Sequence, residues 1–101
     1  MEQPVFLIIE ATPNPSEMDA LKSYQSQTPP LAKKYGAMPV ANYDVQAVLF
    51  GGTKPGVFSV LSFPSRAAID GLFSDPAYQE LIPIRDLGFT ELKFYVVNER
   101  L

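Results

Sequence analysis

Pro4-Val5-Phe6-Leu7-Ile8-Ile9-Glu10-Ala11 carries no polar side chain until Glu10. Side chains of a strand alternate between two faces, so a run apolar at every position is covered on both. Helices of the same chain supply one cover. The other must come from outside the sheet, because a bare apolar face of this extent exceeds what a soluble monomer exposes.

The stretches beyond this strand say what the helices are. Thr12 to Pro15 break the strand. Asn14-Pro15 with Glu17 predicts an N-cap, a first-turn proline and a capping partner, and Ser16 with Asp19 is an equal alternative. Met18, Leu21, Tyr24, Thr28, Leu31 and Tyr35 then recur at steps of three and four, the stripe of an amphipathic helix. Pro29-Pro30 removes two donors and predicts a kink or a division there, with Thr28 recapping the second half. Gly36 is placed to stop the helix. Met38 to Phe50 reads as one long strand, bent or bulged near Asn42 to Asp44. The turn cluster Gly51 to Gly56 joins it to a strand over Val57 to Phe63, which predicts an antiparallel hairpin. Pro64 ends that strand and Ser65 caps a second helix, whose inner face is Ala68, Ile69, Leu72 and Phe73. Gly71 weakens this helix by roughly 1 kcal/mol relative to alanine. Ser74-Asp75-Pro76 restarts the chain as a further helical piece with Tyr78, Leu81 and Ile82 turned inward, and Pro83 ends or kinks it. Residues 90–98 alternate Leu92, Phe94 and Val96 against Lys93, Tyr95 and Val97, a final strand.

The order strand, helix, strand, strand, helix, strand is the split β-α-β arrangement. It predicts a ferredoxin-like α+β fold, with a four-stranded antiparallel sheet carrying both helices on one face. The whole chain, 1–101, reads as one domain. Tyr95 and Val97 extend the apolar character of the first strand onto the uncovered face, and pairing with a second copy is the simplest cover. A homodimer is expected.

Composition narrows the chemistry. The chain has no cysteine and no histidine. Disulfide and thiolate chemistry are excluded, and so are the usual base near neutral pH and the commonest metal ligand. No metal and no cofactor are expected. The net charge is −3, with basic residues scattered singly apart from Lys33-Lys34. Nucleic acid needs a clustered basic face, so it is not an expected partner. No apolar run reaches transmembrane length, no membrane partner is expected, and the cytoplasm is the expected location.

Phe63-Pro64-Ser65, Ala67-Ala68, Phe73-Ser74, Tyr78-Gln79 and Arg85 resemble the hallmark run of the domain of unknown function 1330 family. Tyr24, Pro30 and Tyr35-Gly36 are similar to that family's first helix. The resemblance implies a dimeric α+β barrel, in which two sheets pack face to face. It also implies a cleft between helices and sheet. Relatives in that superfamily include cofactor-independent monooxygenases, muconolactone isomerases and ligand-sensing domains. Several of the enzymes depend on a histidine or other specific polar groups in that cleft, and this chain has no histidine.

Three residues stand out as ligand-binding candidates. Arg85 suits a bidentate clamp on a carboxylate, although an ion pair with Asp86 or a helix-end contact explains it too. Tyr24 and Tyr78 suit a pocket as hydroxyl donors, or the core as packed rings. Tyr43, Asp44 and Gln46 interrupt an apolar strand, as a cleft or a solvent-facing edge would require. Glu10 is either a buried base or a solvated strand end. The glycines around Lys54 lack the order of a phosphate loop, and Asn14-Pro15-Ser16 has proline where a glycosylation site forbids it. Three readings compete: a dimer that binds a small organic molecule, anionic or aromatic; a cofactor-free oxygenase or isomerase; and a purely structural or regulatory dimer with a filled core.

Overall fold

The computed structural model describes residues 3–100. Met1, Glu2 and Leu101, part of the span assigned to the domain, lie outside the described residues. The elements run β1 (Val5–Pro13), α1 (Met18–Lys34), β2 (Met38–Asp44), β3 (Val57–Phe63), α2 (Arg66–Ser74), α3 (Pro76–Gln79), α4 (Ile82–Gly88) and β4 (Phe89–Val97). The four strands form one sheet in the order β2-β3-β1-β4, with β1 antiparallel to both β3 and β4 and β2 antiparallel to β3. This is the ferredoxin-like topology that the element order predicts.

Register sorts the two faces. Val5, Leu7, Ile9 and Ala11 face the helices, beside Phe63, Leu61, Ser59 and Val57 on β3 and Val96, Phe94 and Leu92 on β4. Leu7, Phe63, Ile69, Leu72, Tyr78 and Leu81 form the centre of the core. Phe6 and Ile8 point the other way, where Phe58, Val60, Tyr95 and Val97 join them. No helix of the described residues covers that second face.

α1 runs as one helix across Pro29 and Pro30 rather than dividing there. The two prolines orphan the carbonyls of Gln25 and Ser26, and both residues are exposed, which leaves those carbonyls within reach of solvent. Thr28 starts no new helix. Its hydroxyl bonds the Tyr24 carbonyl at 2.5 Å, one turn back. Neither predicted cap holds the start, because Glu17 precedes the first turn without a side-chain bond. Asn14 instead accepts from the Ser16 N–H at 3.1 Å, a turn of its own, and donates through Nδ2 to the Leu87 carbonyl at 3.2 Å. Gly36 ends the helix at φ +85°.

The hairpin also differs from expectation. β2 stops at Asp44, its irregularity lies between Pro39 and Ala41, and residues 45–56 form an irregular loop. Val45 still donates to Gly56 and Gly56 to Ala11, but Pro55 has no N–H to continue the ladder. Leu49 and Phe50, read as strand, are 100% and 96% exposed at the loop's tip. Pro83 likewise opens α4 instead of ending a helix, since first-turn N–H groups need no partner within the helix. Ser65 caps α2 by accepting from Ala68 N–H at 3.1 Å, and Asp75 caps α3 by accepting from Ala77 N–H at 2.8 Å.

Two anchors hold α1 in place. At its start, a Cβ on Gly88 would come within 2.9 Å of the Leu21 backbone, so α4 touches α1 main chain to main chain. The bond from Asn14 N–H to the Gly88 carbonyl, 2.9 Å, locks the same corner. At its end, the Tyr35 ring lies across α2 where Gly71 leaves room, and a Cβ there would sit 2.9 Å from the ring. Tyr35 Oη donates to the Asp75 carboxylate at 2.5 Å and Lys34 Nζ to the same oxygen at 3.3 Å. These bonds, with that from Ala77 N–H, hold the Asp75 carboxyl below its ordinary value, and the hydrogen bond that Tyr35 gives this carboxylate, ahead of burial and the carboxylate's charge, raises the pKa of Tyr35.

Gly88→Ala should destabilise the fold by roughly 2 kcal/mol in urea denaturation, because the obstacle is backbone; a loss under about 0.5 kcal/mol would mean that the two helices move apart freely. Asp75 binds its proton less readily when folded, so its contribution is full above the unfolded value near 3.8 and lost as the pH falls through the folded value. The stability gap between wild type and Asp75→Asn should therefore be widest at neutral pH and close on acidification below that value; a constant gap would contradict the ionised role.

Candidate functional site

Between its two anchors α1 stands over the sheet, and beneath it is a cleft of about 830 Å³. That volume suits a small organic molecule. The floor is Leu7, Ile9, Ala11, Val57, Ser59, Leu61, Leu92 and Phe94, and the roof is the inner side of α1 from Tyr24 to Lys33. Leu72, Phe73, Tyr78 and Phe89 close the far wall. The exposed lining residues, Gln25, Pro29, Lys33, Met38, Pro39 and Asn42, belong to α1 and β2, so the mouth lies between them.

The three candidate residues come together in one network. Tyr24 and Tyr78 share a buried hydrogen bond of 2.9 Å between their hydroxyls. Arg85 Nη1 donates to the Tyr78 hydroxyl at 3.2 Å, and its Nε donates to Asp86 at 3.2 Å. The guanidinium also sits 5.9 Å from the centre of the Tyr78 ring. Both tyrosines line the cleft, whereas Arg85 stands behind Tyr78 and is absent from the wall. Burial opposes the charge of Arg85, but its bonds to Tyr78 and Asp86 outweigh that and raise its pKa.

The direction of the protons follows. Tyr78 is 1% exposed and its oxygen already accepts from Arg85, so its own proton has only the Tyr24 oxygen to go to. Tyr24, which faces the cleft, is left with a proton to donate into it. Burial first, then the bond with Tyr78, pushes the Tyr24 pKa above the ordinary phenol value. Tyr24 is therefore a neutral donor at physiological pH and a poor base. Edge-on contacts to Phe89 at 5.6 Å and to Tyr78 at 6.3 Å fix its ring.

The remaining candidates lie elsewhere. Tyr43 faces the opposite side of the sheet and packs on Phe58, 6.5 Å between ring centres. Asp44 is exposed at the end of β2, and the Gln46 carbonyl accepts from Lys54 in the loop at 3.4 Å. Glu10 is on that opposite face too, beside Lys93 across the β1–β4 pair, in a shallow polar depression of about 260 Å³ under the 45–56 loop. Asn42 and Ser59 were not among the candidates, although both line the cleft and their side chains bond at 2.5 Å.

Residues 4–99 match the family described as domain of unknown function (DUF1330). The chain belongs to the DUF1330 family. No curated protein matches it. Among solved structures, a protein of unknown function from Rhodopseudomonas palustris superposes on this DUF1330 protein with a TM-score of 0.83 at 17% identity, covering 100% of this chain and 85% of the other. A dimeric ferredoxin-like protein of unknown function from Jannaschia gives 0.67 at 12% identity, covering 96% and 100%. An antibiotic biosynthesis monooxygenase gives 0.62 at 16% identity, covering 96% and 99%. At these identities the likeness is one of fold. Among the described residues of the DUF1330 chain, no helix is long and apolar enough to cross a membrane.

The tyrosine network has a thermodynamic signature. Tyr78→Phe strips partners from Arg85 and Tyr24 together and should cost about 1–2 kcal/mol, with Tyr24→Phe coupled to it by about 1 kcal/mol in a double-mutant cycle. Additive effects would mean that the two hydroxyls do not act as a unit.

Proposed function

We propose that this DUF1330 protein is a homodimer that binds a small, mainly apolar organic molecule in the cleft beneath α1. The observation that carries the reading is the cleft itself, of ligand size, walled by apolar side chains and reached by one Tyr24 donor backed by Tyr78 and Arg85. Arg85 acts through Tyr78, setting the direction of the hydroxyl protons, rather than touching the ligand.

Three observations support the dimer. Phe6, Ile8, Phe58, Val60, Tyr95 and Val97 share the helix-free face, and the Jannaschia relative is described as dimeric. The accessible surface is 6919 Å², whereas a folded monomer of 11.2 kDa exposes about 5,700 Å². The excess, about 1,200 Å², exceeds the roughly 800 Å² that each partner buries in a standard interface. Light scattering should give twice 11.2 kDa at micromolar concentration; the mass of one chain would refute the dimer.

Catalysis by a cofactor-free oxygenase or isomerase is the second reading, favoured by the monooxygenase among the fold relatives. Such chemistry starts by ionising the substrate, and the residues lining the cleft include no carboxylate while Tyr24 holds its proton. Ligand binding asks less of these residues.

N-phenylnaphthylamine, an apolar dye that brightens on leaving water, tests the cleft. It should bind saturably, and Thr28→Trp, which fills the cleft from α1 and removes a hydroxyl that bonds the Tyr24 carbonyl and lies beside the Tyr24 hydroxyl, should abolish binding without changing the helical circular dichroism. Undiminished binding to Thr28→Trp would place the dye elsewhere.

A further inference from the structure

Asn42 on β2 and Ser59 on β3 are direct cross-strand partners, and both line the cleft. Ser59 belongs to the helix-facing row Val57, Ser59, Leu61, Phe63, in which every other member is apolar. Its hydroxyl donates to Asn42 Oδ1 at 2.5 Å. With Oδ1 engaged, the amide is pinned, and its Nδ2 has no partner among the described residues. Two N–H donors are therefore presented at the cleft mouth, in a fixed orientation.

Charge around this position is one-sided. The chain carries 11 acidic residues against 8 basic ones, yet no Asp or Glu lines the cleft and its one charged lining residue is Lys33. Lys33 makes no ion pair among the described residues, unlike its neighbour Lys34, which is held by Asp75. A net-negative protein thus keeps a cleft whose only formal charge is positive, so an anion meets donors and no carboxylate there.

Position supplies the third argument. β2 and β4 are the two edges of the sheet, three strand spacings or about 14 Å apart. The Tyr24 ring packs against Phe89, the first residue of β4, while Asn42 is on β2. Donors therefore stand towards opposite edges, with apolar floor between them.

We infer that Asn42, held by Ser59, recognises the acidic oxygens of an elongated aromatic acid whose apolar body lies beneath α1. Its far end carries a neutral acceptor, a carbonyl or phenol oxygen, that meets the Tyr24 hydroxyl. This rests on the cleft being the ligand site and moves anion recognition from Arg85 to the β2 edge.

A pair of dyes isolates the acidic group. Anilinonaphthalene sulfonate carries a sulfonate, and N-phenylnaphthylamine has the same rings without it. Wild type should prefer the sulfonate. Asn42→Leu should weaken the sulfonate dye about tenfold, the scale of a hydrogen bond to a charged group, and leave the neutral dye within about twofold. Asn42→Asp, which turns the donor into an anion, should weaken the sulfonate dye at least as much. Ser59→Ala, which frees the amide to rotate, should lose part of the preference. Asn42 is exposed on an edge strand, so these variants keep the fold, with circular dichroism as the check. An unchanged preference in both Asn42 variants, or none in wild type while the neutral dye still binds, overturns the role of Asn42 and leaves the cleft standing. Binding of neither dye overturns the cleft and this inference together.

Discussion

α1 is fastened at its ends, and everything distinctive about this molecule depends on that. One end is closed by the Gly88–Leu21 contact and the other by Tyr35 and Lys34 on Asp75. Neither anchor involves the sheet directly. A helix held this way need not collapse onto the strands, so the space under its centre remains open at about 830 Å³. The anchors are made of elements chosen for close approach and charge. Glycine allows backbone contact at one end, and an ionised carboxylate collects three donors at the other.

The same arrangement dictates the chemistry of the cleft. Side chains reaching it come from an apolar sheet floor and from the inner stripe of α1, so polar groups are few, and two pairs of them are tied together. Tyr24 is supplied from behind by Tyr78 and Arg85, and Asn42 is pinned by Ser59. Groups pinned beforehand lose little freedom when a ligand arrives. The charge of Arg85 stays out of the wall and is transmitted as hydrogen-bond direction.

Local signals were legible in the sequence wherever the physics is local. Ser65, Gly36 and the Asp75-Pro76 pair cap or stop helices through groups within a few residues of themselves. The apolar run of β1 demanded two covers whatever the rest of the chain did. Readings failed where the outcome depends on distant context. Pro29-Pro30 is a helix breaker only if the orphaned carbonyls are buried, and here they belong to exposed residues. Val45 to Phe50 has strand composition, but beyond the bond from Val45 to Gly56 the ladder stops, because Pro55 has no N–H to extend it. Tyr24, Tyr78 and Arg85 were recognisable as residue types that serve pockets, and the fold does join them. Their division into cleft wall and support required the packing of α3 and α4. Asn42 was hidden because its side-chain direction depends on a register shift between Pro39 and Ala41 that no residue pattern announces.

Methyl-resolved NMR during titration with N-phenylnaphthylamine tests most directly whether the space under α1 is the binding site. Shifts should concentrate at Leu7, Ala32, Leu61 and Leu72 around the cleft, leaving Ile8, Val60 and Val97 on the opposite sheet face unmoved. Shifts led by Ile8, Val60 and Val97 would instead place the ligand on the face assigned to the dimer and contradict the account.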